Sequence, residues 1–565
     1  MLKFKDYKYK RPDMGEIKEE ITSLIDEFER ANSSNEQNEI IGKINSIREE
    51  VESMENLVYI RHSINTLDEY YKKEQEFLDE NMPIYESLVS KYMKALVNSK
   101  FRDDLEKKWG SHLFNLSEVK LKTFSDEIIE DLVNENKLVS EYDRLVASAK
   151  INFEGEERNL AQMQPFMQSR NRDMRKRAYE AYIEFFEENE DKFDTIYDEL
   201  VKLRDSIAKK LGFKNFVELG YARMGRTDYD AEMVANYRKQ VFEDLVPVVE
   251  ELKDRQRKRL GLDEFKYYDE PLEFLSGNAI PKGSPEWILE NGKKMYNELS
   301  KETAEFFNFM VERELMDLVS KKGKMSGGYC TIISKYKSPF IFSNFNGTSG
   351  DVDVLTHEAG HAFQFYLSSS FEIPEYHSPT LEACEIHSMS MEFITWPWME
   401  LFFKEDVEKY KFSHLSGAVN FIPYGVTVDE FQHFVYENPE ATKEERKTKW
   451  REIEKKYLPF RDYEDNDFLN RGGYWFRQGH IFQVPFYYID YTLAQVCAFQ
   501  FWIKSMDGND EFWEDYLRLC RAGGSDSFLN LVSLAKLRNP FEDGTIREVM
   551  KPIEKWLDSI DDTKF

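Results

Sequence analysis

Apolar and polar positions change texture along the chain. Over residues 1–200, apolar residues recur at helical spacing with Glu and Lys between them. Breakers are sparse there: glycines at Gly15, Gly42, Gly110 and Gly155, prolines at Pro12, Pro83 and Pro165. This pattern predicts long amphipathic helices, including 132–149 and 173–188. Residues 271–285 are loop-rich, and helical spacing then runs from Trp287 to about Ser320. Two β-rich, turn-bounded runs at 327–333 and 339–345 predict short strands, the second ended by Asn346-Gly347-Thr348-Ser349-Gly350. Helix dominates beyond, interrupted at Pro379, Pro397, Pro423 and Pro485, with loops at Gly472-Gly473 and Gly523-Gly524. The expected fold is mostly α with one small sheet near the middle. A helical region over 1–200 interleaves with a second region over 201–565 that carries the chemistry.

Composition narrows the function. The 565 residues include 77 Lys and Arg against 106 Asp and Glu, a net charge of −29. That balance argues against nucleic acid and anionic membranes as partners. An aromatic content of 15% rules out a disordered solvating chain. The cysteines Cys330, Cys384, Cys497 and Cys520 form no CxxC pair, which reads as free thiols in a reducing compartment. The N-terminus lacks an apolar h-region and no run of 18 apolar residues occurs, so a cytoplasmic location is expected.

Of nine histidines, His357, His361, His377 and His387 fall within 31 positions. The first pair belongs to His357-Glu358-Ala359-Gly360-His361, an HExxH sequence. Side chains at i and i+4 share a helix face, so both rings converge on one point, and neutral imidazoles suit Zn²⁺. Glu358 stands beside the open coordination position, where it can take a proton from activated water. Catalytic zinc needs a third protein ligand. Gln364 and Leu367 exclude the metzincin histidine, leaving a following helix expected to start at Ser378-Pro379 and to end at Trp396-Pro397. Glu382, Glu385, His387 and Glu392 are its candidates. Glu385 as ligand with Glu392 accepting from a ligand histidine is favoured, but spacing leaves Glu382 nearly as good. His377 and His387 read as polar-loop or helix-surface residues, and Cys384 as packing.

The stretch from Asn346 to Gln364, with Glu382-Ala383-Cys384-Glu385-Ile386-His387-Ser388-Met389-Ser390-Met391-Glu392-Phe393 after it, resembles the thimet-oligopeptidase family. The nearest branch is oligoendopeptidase F and the bacterial Pz-peptidases. The resemblance is strongest from about Gly327 to Phe501. It implies one Zn²⁺ per chain held by His357, His361 and Glu385, with Glu358 as general base. It implies two helical lobes around a deep central channel that admits short peptides and excludes folded proteins. It also implies a small β-sheet beside the HExxH helix whose edge strand, assigned here to 339–345, pairs with substrate backbone. A late His and tyrosines belong to the pattern, matched by His480, Tyr488 and Tyr491, with Tyr487 a competitor because the register is uncertain by one. Their hydroxyls or imidazole can donate to an oxyanion.

The expected function is zinc-dependent endopeptidase action on internal bonds of short oligopeptides, by metal-activated water and a glutamate base. One rival is a zinc carboxypeptidase on a similar scaffold, for which Arg477 is the available cation; on the first reading Arg477 is a surface salt-bridge residue. The other rival is a non-catalytic peptide-binding protein with a structural metal.

Overall fold

The N-terminal helices form where an apolar stripe meets a capping side chain. Asp13, Ser33 and Asp68 accept backbone N–H bonds at the starts of helices Met14–Arg30, Ser34–Ile64 and Glu69–Val97. The computed structural model describes every residue except Met1, Ser326, Asp507, Asn509 and Asp510. The two helices expected over 132–149 and 173–188 fold as Ile129–Ala147 and Arg172–Glu188.

Ile21, Phe28, Ile41, Leu88 and Phe114 make a core of their own, which Ile373 and Tyr376 join from far along the chain. The Tyr376 hydroxyl donates to the Trp109 carbonyl (2.6 Å) and accepts from Leu113 N–H (3.0 Å). Arg48 and Glu375 form a largely buried ion pair at 2.6 Å. The N-terminal helices are thus anchored to the loop that leads into the site. A second, larger core runs from Tyr7 to Leu557. Among the described residues no helix is long and apolar enough to cross a membrane.

Five strands are present among the described residues: β1 (Ile151–Phe153) and β2 (Glu156–Arg158) form a hairpin, and β3 (Met316–Val319), β4 (Tyr329–Ile333) and β5 (Ser338–Phe345) form a sheet ordered β3-β5-β4. β5 pairs parallel with β3, Met316 opposite Ile341, and antiparallel with β4, Cys330 opposite Ile341. Two expectations change here. The helical reading to Ser320 gives way to helices Pro285–Leu299 and Lys301–Glu312 followed by β3. Met-Asp-Leu-Val fits either period, and pairing with a distant strand decides it. The strand at 339–345 is central, with both sides paired, so it has no free backbone edge for a peptide. β4 is the edge strand that flanks the HExxH helix.

That helix spans Gly350–Ser368 and follows a turn shaped by its own polar groups. Asp351 accepts from the backbone N–H of Asn346 and Gly347, both at 2.8 Å, and Gly347 takes a φ of +86°. The next helix spans Leu381–Ile394, starting later than Ser378-Pro379 predicts. The Gly524 N–H bonds the Tyr376 carbonyl at 3.0 Å, and a Cβ on Gly524 would lie 2.3 Å from the Ser378 oxygen, so the Gly523-Gly524 loop packs directly on the backbone of this lead-in.

The two helices meet at Gly360, where a Cβ would lie 2.6 Å from the His387 oxygen and 2.7 Å from Ser388 Cα. These contacts are backbone and cannot swing aside. Gly360→Ala is therefore expected to destabilise the fold by about 1–3 kcal/mol and to weaken metal retention. Thermal unfolding and metal content after dialysis check this.

Candidate metal centre and active site

One helical turn separates His357 and His361, and their ring centroids lie 5.0 Å apart. Glu385 enters from the neighbouring helix, its Oε2 standing 3.2 Å from His357 Nε2 and 3.5 Å from His361 Nε2. The three ligand atoms all fall within 4.8 Å of one another. Ligands of a tetrahedral ion such as zinc, at bond lengths of about 2.1 Å, stand about 3.4 Å from one another, close to the two separations between Glu385 and the histidines. His357 donates Nδ1–H to Glu392 Oε1 at 2.7 Å, which sets the ring so that its Nε2 faces the Glu385 carboxylate. Two imidazole nitrogens and a carboxylate oxygen converging at this spacing are a donor set that fits a divalent metal.

Hydrogen bonds fix the carboxylates. Glu385 Oε2 accepts from Ser388 Oγ (2.8 Å) and Oε1 from the Tyr487 hydroxyl (2.9 Å). Burial pushes the Glu385 carboxyl up, but His361 and His357 outweigh it and hold it well below the usual range. Glu392 also accepts from His414 Nε2 at 2.8 Å, while His414 Nδ1 accepts from Trp396 Nε1 at 3.3 Å. Glu358 is buried, and its Oε2 has no hydrogen-bond partner among the described residues. Burial raises its carboxyl, a shift only partly offset by His357 and His361, which suits a base that must hold and release a proton. A Cβ on Gly328, just before β4, would lie 3.8 Å from Glu358 Oε1, so the free sheet edge runs beside this carboxylate.

His480, Tyr488 and Tyr491 line one cavity of about 570 Å³, together with Met389, Glu392 and Phe421. The His480 ring lies 4.9 Å from Tyr488, 5.8 Å from Tyr491 and 5.6 Å from Tyr487. Gln478 Nε2–H donates to His480 Nδ1 at 2.8 Å, leaving Nε2 as the protonated nitrogen, and burial lowers the pKa of this imidazole. Tyr487 is the tyrosine that touches a candidate ligand. Burial, then the Glu385 charge, pushes its phenol far up, so it stays a donor.

A clamp that the sequence does not signal sets Tyr487. Phe486 holds a left-handed φ of 69°. Its N–H donates to Gln432 Oε1 at 2.9 Å, and its carbonyl accepts from Arg226 Nη2 at 2.6 Å. Arg226 pairs with Asp490 at 2.7 Å, both side chains fully buried, and the Phe486 ring covers Gly220, where a Cβ would lie 2.5 Å away.

The other candidates lie elsewhere. Glu382 is fully buried away from the histidine pair, beside Asp490 and Arg226, with both oxygens unpartnered. His387 is not a surface residue: it is fully buried, and neither ring nitrogen has a partner. His377 is buried as well, with Nε2 at 3.0 Å from the Phe371 carbonyl. Cys384 donates to the Pro379 carbonyl at 3.3 Å.

Imidazoles and a carboxylate converging from two helices, with a second carboxylate poised beside them, are the arrangement of an HExxH metal-dependent hydrolase. Comparison with known proteins makes the class specific. The peptidase M3 N-terminal domain matches residues 4–124, and peptidase family M3 matches 165–278 and 288–551. The chain belongs to peptidase family M3 and is a metallo-endopeptidase. A solved structure of Pz peptidase A with an inhibitor is 62% identical, covers 99% of this chain and 100% of its own, and superposes with a TM-score of 0.96. The group B oligopeptidase PepB of Streptococcus agalactiae is 25% identical over 75% of this chain and 70% of its own length. Oligopeptidase PepF of Bacillus subtilis is 22% identical over 70% of this chain and 58% of its own.

Glu382 yields a pH prediction. Burial, then the Asp490 charge, pushes its carboxyl up to about 8 against an unfolded value of 4.5, partly countered by Arg226. The folded state keeps a proton that the unfolded chain releases, so this group makes folding less favourable as pH rises through that window. Glu382→Gln is expected to unfold at increasingly higher temperature than the parent between pH 5 and 8, a difference read by calorimetry across that range.

Proposed function

We propose that the chain hydrolyses internal bonds of short peptides with one zinc held by His357, His361 and Glu385. Zinc bound there supplies a Lewis acid for the scissile carbonyl and lowers the pKa of water. Glu358 takes the proton of the attacking water and passes it to the leaving amine. His480 Nε2–H and the hydroxyls of Tyr488 and Tyr491 donate to the oxygen on which charge develops. Tyr487 and Ser388 orient Glu385, and Glu392 orients His357. The edge of β4 pairs with the peptide backbone and carries it past Glu358. Substrates are extended oligopeptides, because a folded protein cannot offer its backbone to a strand edge.

The observation that carries this reading is the buried, unpartnered oxygen of Glu358 beside the converging ligand atoms. A structural metal site closed by its protein ligands has no use for it. The names oligopeptidase PepB and oligopeptidase PepF among the relatives support the substrate class.

The test uses an internally quenched peptide of about ten residues blocked at both ends, which a carboxypeptidase cannot cut. The zinc-loaded wild type is expected to cut it internally. Glu358→Gln is expected to retain zinc and lose about a hundred- to ten-thousand-fold in kcat. No internal cleavage by the zinc-loaded wild type, or a variant of equal rate, overturns the proposal.

A further inference from the structure

Arg477 stands apart from the ion-pair pattern of this acidic chain. Among the described residues it has no carboxylate within 4.0 Å, although acids exceed bases by 29 in the sequence. Its one hydrogen bond runs from Nη1 to the Tyr474 hydroxyl at 2.9 Å. Among the described residues its Nε and Nη2 have no hydrogen-bond partner, yet they are not among the buried orphaned atoms. Both therefore keep some exposure to solvent. Glu270, which feels the Arg477 charge, is already bound by Arg461 through Nε (2.9 Å) and Nη2 (2.8 Å).

The surroundings of the guanidinium are phenols. It lies 4.8 Å from the Tyr474 ring centroid and 5.8 Å from that of Tyr182. Tyr424 packs edge-on to Tyr474 at 6.1 Å and to Tyr488 at 5.9 Å. Tyr488 lines the cavity beside the metal ligands and feels the Arg477 charge. Gln478, the next residue in the chain, accepts from Tyr424 and donates to His480. Arg477 thus belongs to the wall that carries His480 and Tyr488, with the Nε/Nη2 edge of its fork unused. That edge matches a carboxylate through two parallel N–H bonds.

We propose that Arg477 is a specificity residue that binds a carboxylate of the peptide substrate, at a fixed number of residues from the scissile bond. The carboxylate is either the peptide's own C-terminus or an Asp or Glu side chain. This rests on the peptidase reading above and adds to it a preference for anionic peptides. An ordered guanidinium that only packed on tyrosines would leave substrate charge without effect.

The experiment uses zinc-loaded full-length enzyme and a series of quenched peptides with one scissile core. The C-terminus is a free acid or an amide, at increasing distance from the scissile bond. A second set is amidated throughout and carries Asp or Asn at each successive position. The wild type is expected to prefer the carboxylate by about 10- to 100-fold in kcat/KM, at one spacing only and mainly through KM. A preference in the first set identifies the C-terminus, and one in the second set a side chain. Arg477→Met is expected to bring that ratio to within about twofold of unity, and Arg477→Lys to retain part of it. A wild-type ratio near unity at every spacing overturns the proposal. So does a ratio that persists in both variants. Folded variants equally impaired on carboxylate and amide peptides, or loss of fold in both, assign Arg477 a structural role and overturn it too. Cleavage of the amidated peptides by the wild type keeps the endopeptidase reading standing whichever way the ratio falls.

Discussion

The site rests on one close approach, the contact of two helix backbones at Gly360. The HExxH helix contributes two imidazoles and the neighbouring helix one carboxylate, and neither alone can hold an ion. Their ligand atoms stand 3.2 and 3.5 Å apart because no side chain separates the helices at residue 360. Everything else around the centre serves to keep that geometry. Ser388 and Tyr487 hold Glu385, Glu392 holds His357, and His414 with Trp396 holds Glu392. The N-terminal helices reach the same region through Arg48–Glu375 and Tyr376, so a contact hundreds of residues away fixes where the second helix begins.

The electrostatics follow from burial. Glu385, Glu392 and Glu358 share a small space with His357 and His361, and a divalent ion is the natural counter-charge for such a cluster. The carboxylates differ because their partners differ. Glu385 faces both imidazoles and stays ionised, whereas Glu358 has an unpartnered oxygen and is pushed up. Environment rather than residue type divides the proposed roles of ligand and base. The segment that carries Tyr487, Tyr488 and Tyr491 is held separately, through a left-handed Phe486 gripped by Gln432 and Arg226.

Much of this was legible in the sequence because it is local. The HExxH spacing is a property of one helix, the sparse breakers over 1–200 predict long helices, and the apolar run at 339–345 marks a strand. What the sequence hid is non-local. Met316–Val319 becomes a strand only through pairing with β5, and that pairing makes β5 central and leaves β3 and β4 as the edges. Spacing left Glu382 and Glu385 open, since positions three apart on a helix share a face; the family resemblance pointed to Glu385, and the neighbouring side chains show why the two differ. Arg226 grips Phe486 across 260 positions, and nothing near either residue announces the other. His387 looked like a surface residue because a polar side chain on a helix usually is one, yet it is fully buried.

Zinc anomalous diffraction from crystals of the chain tests the central claim most directly. The account predicts one peak per chain, about 2.1 Å from His357 Nε2, His361 Nε2 and an oxygen of Glu385, with no sulfur ligand. A peak at other residues, or none between these three side chains in zinc-loaded protein, would contradict it.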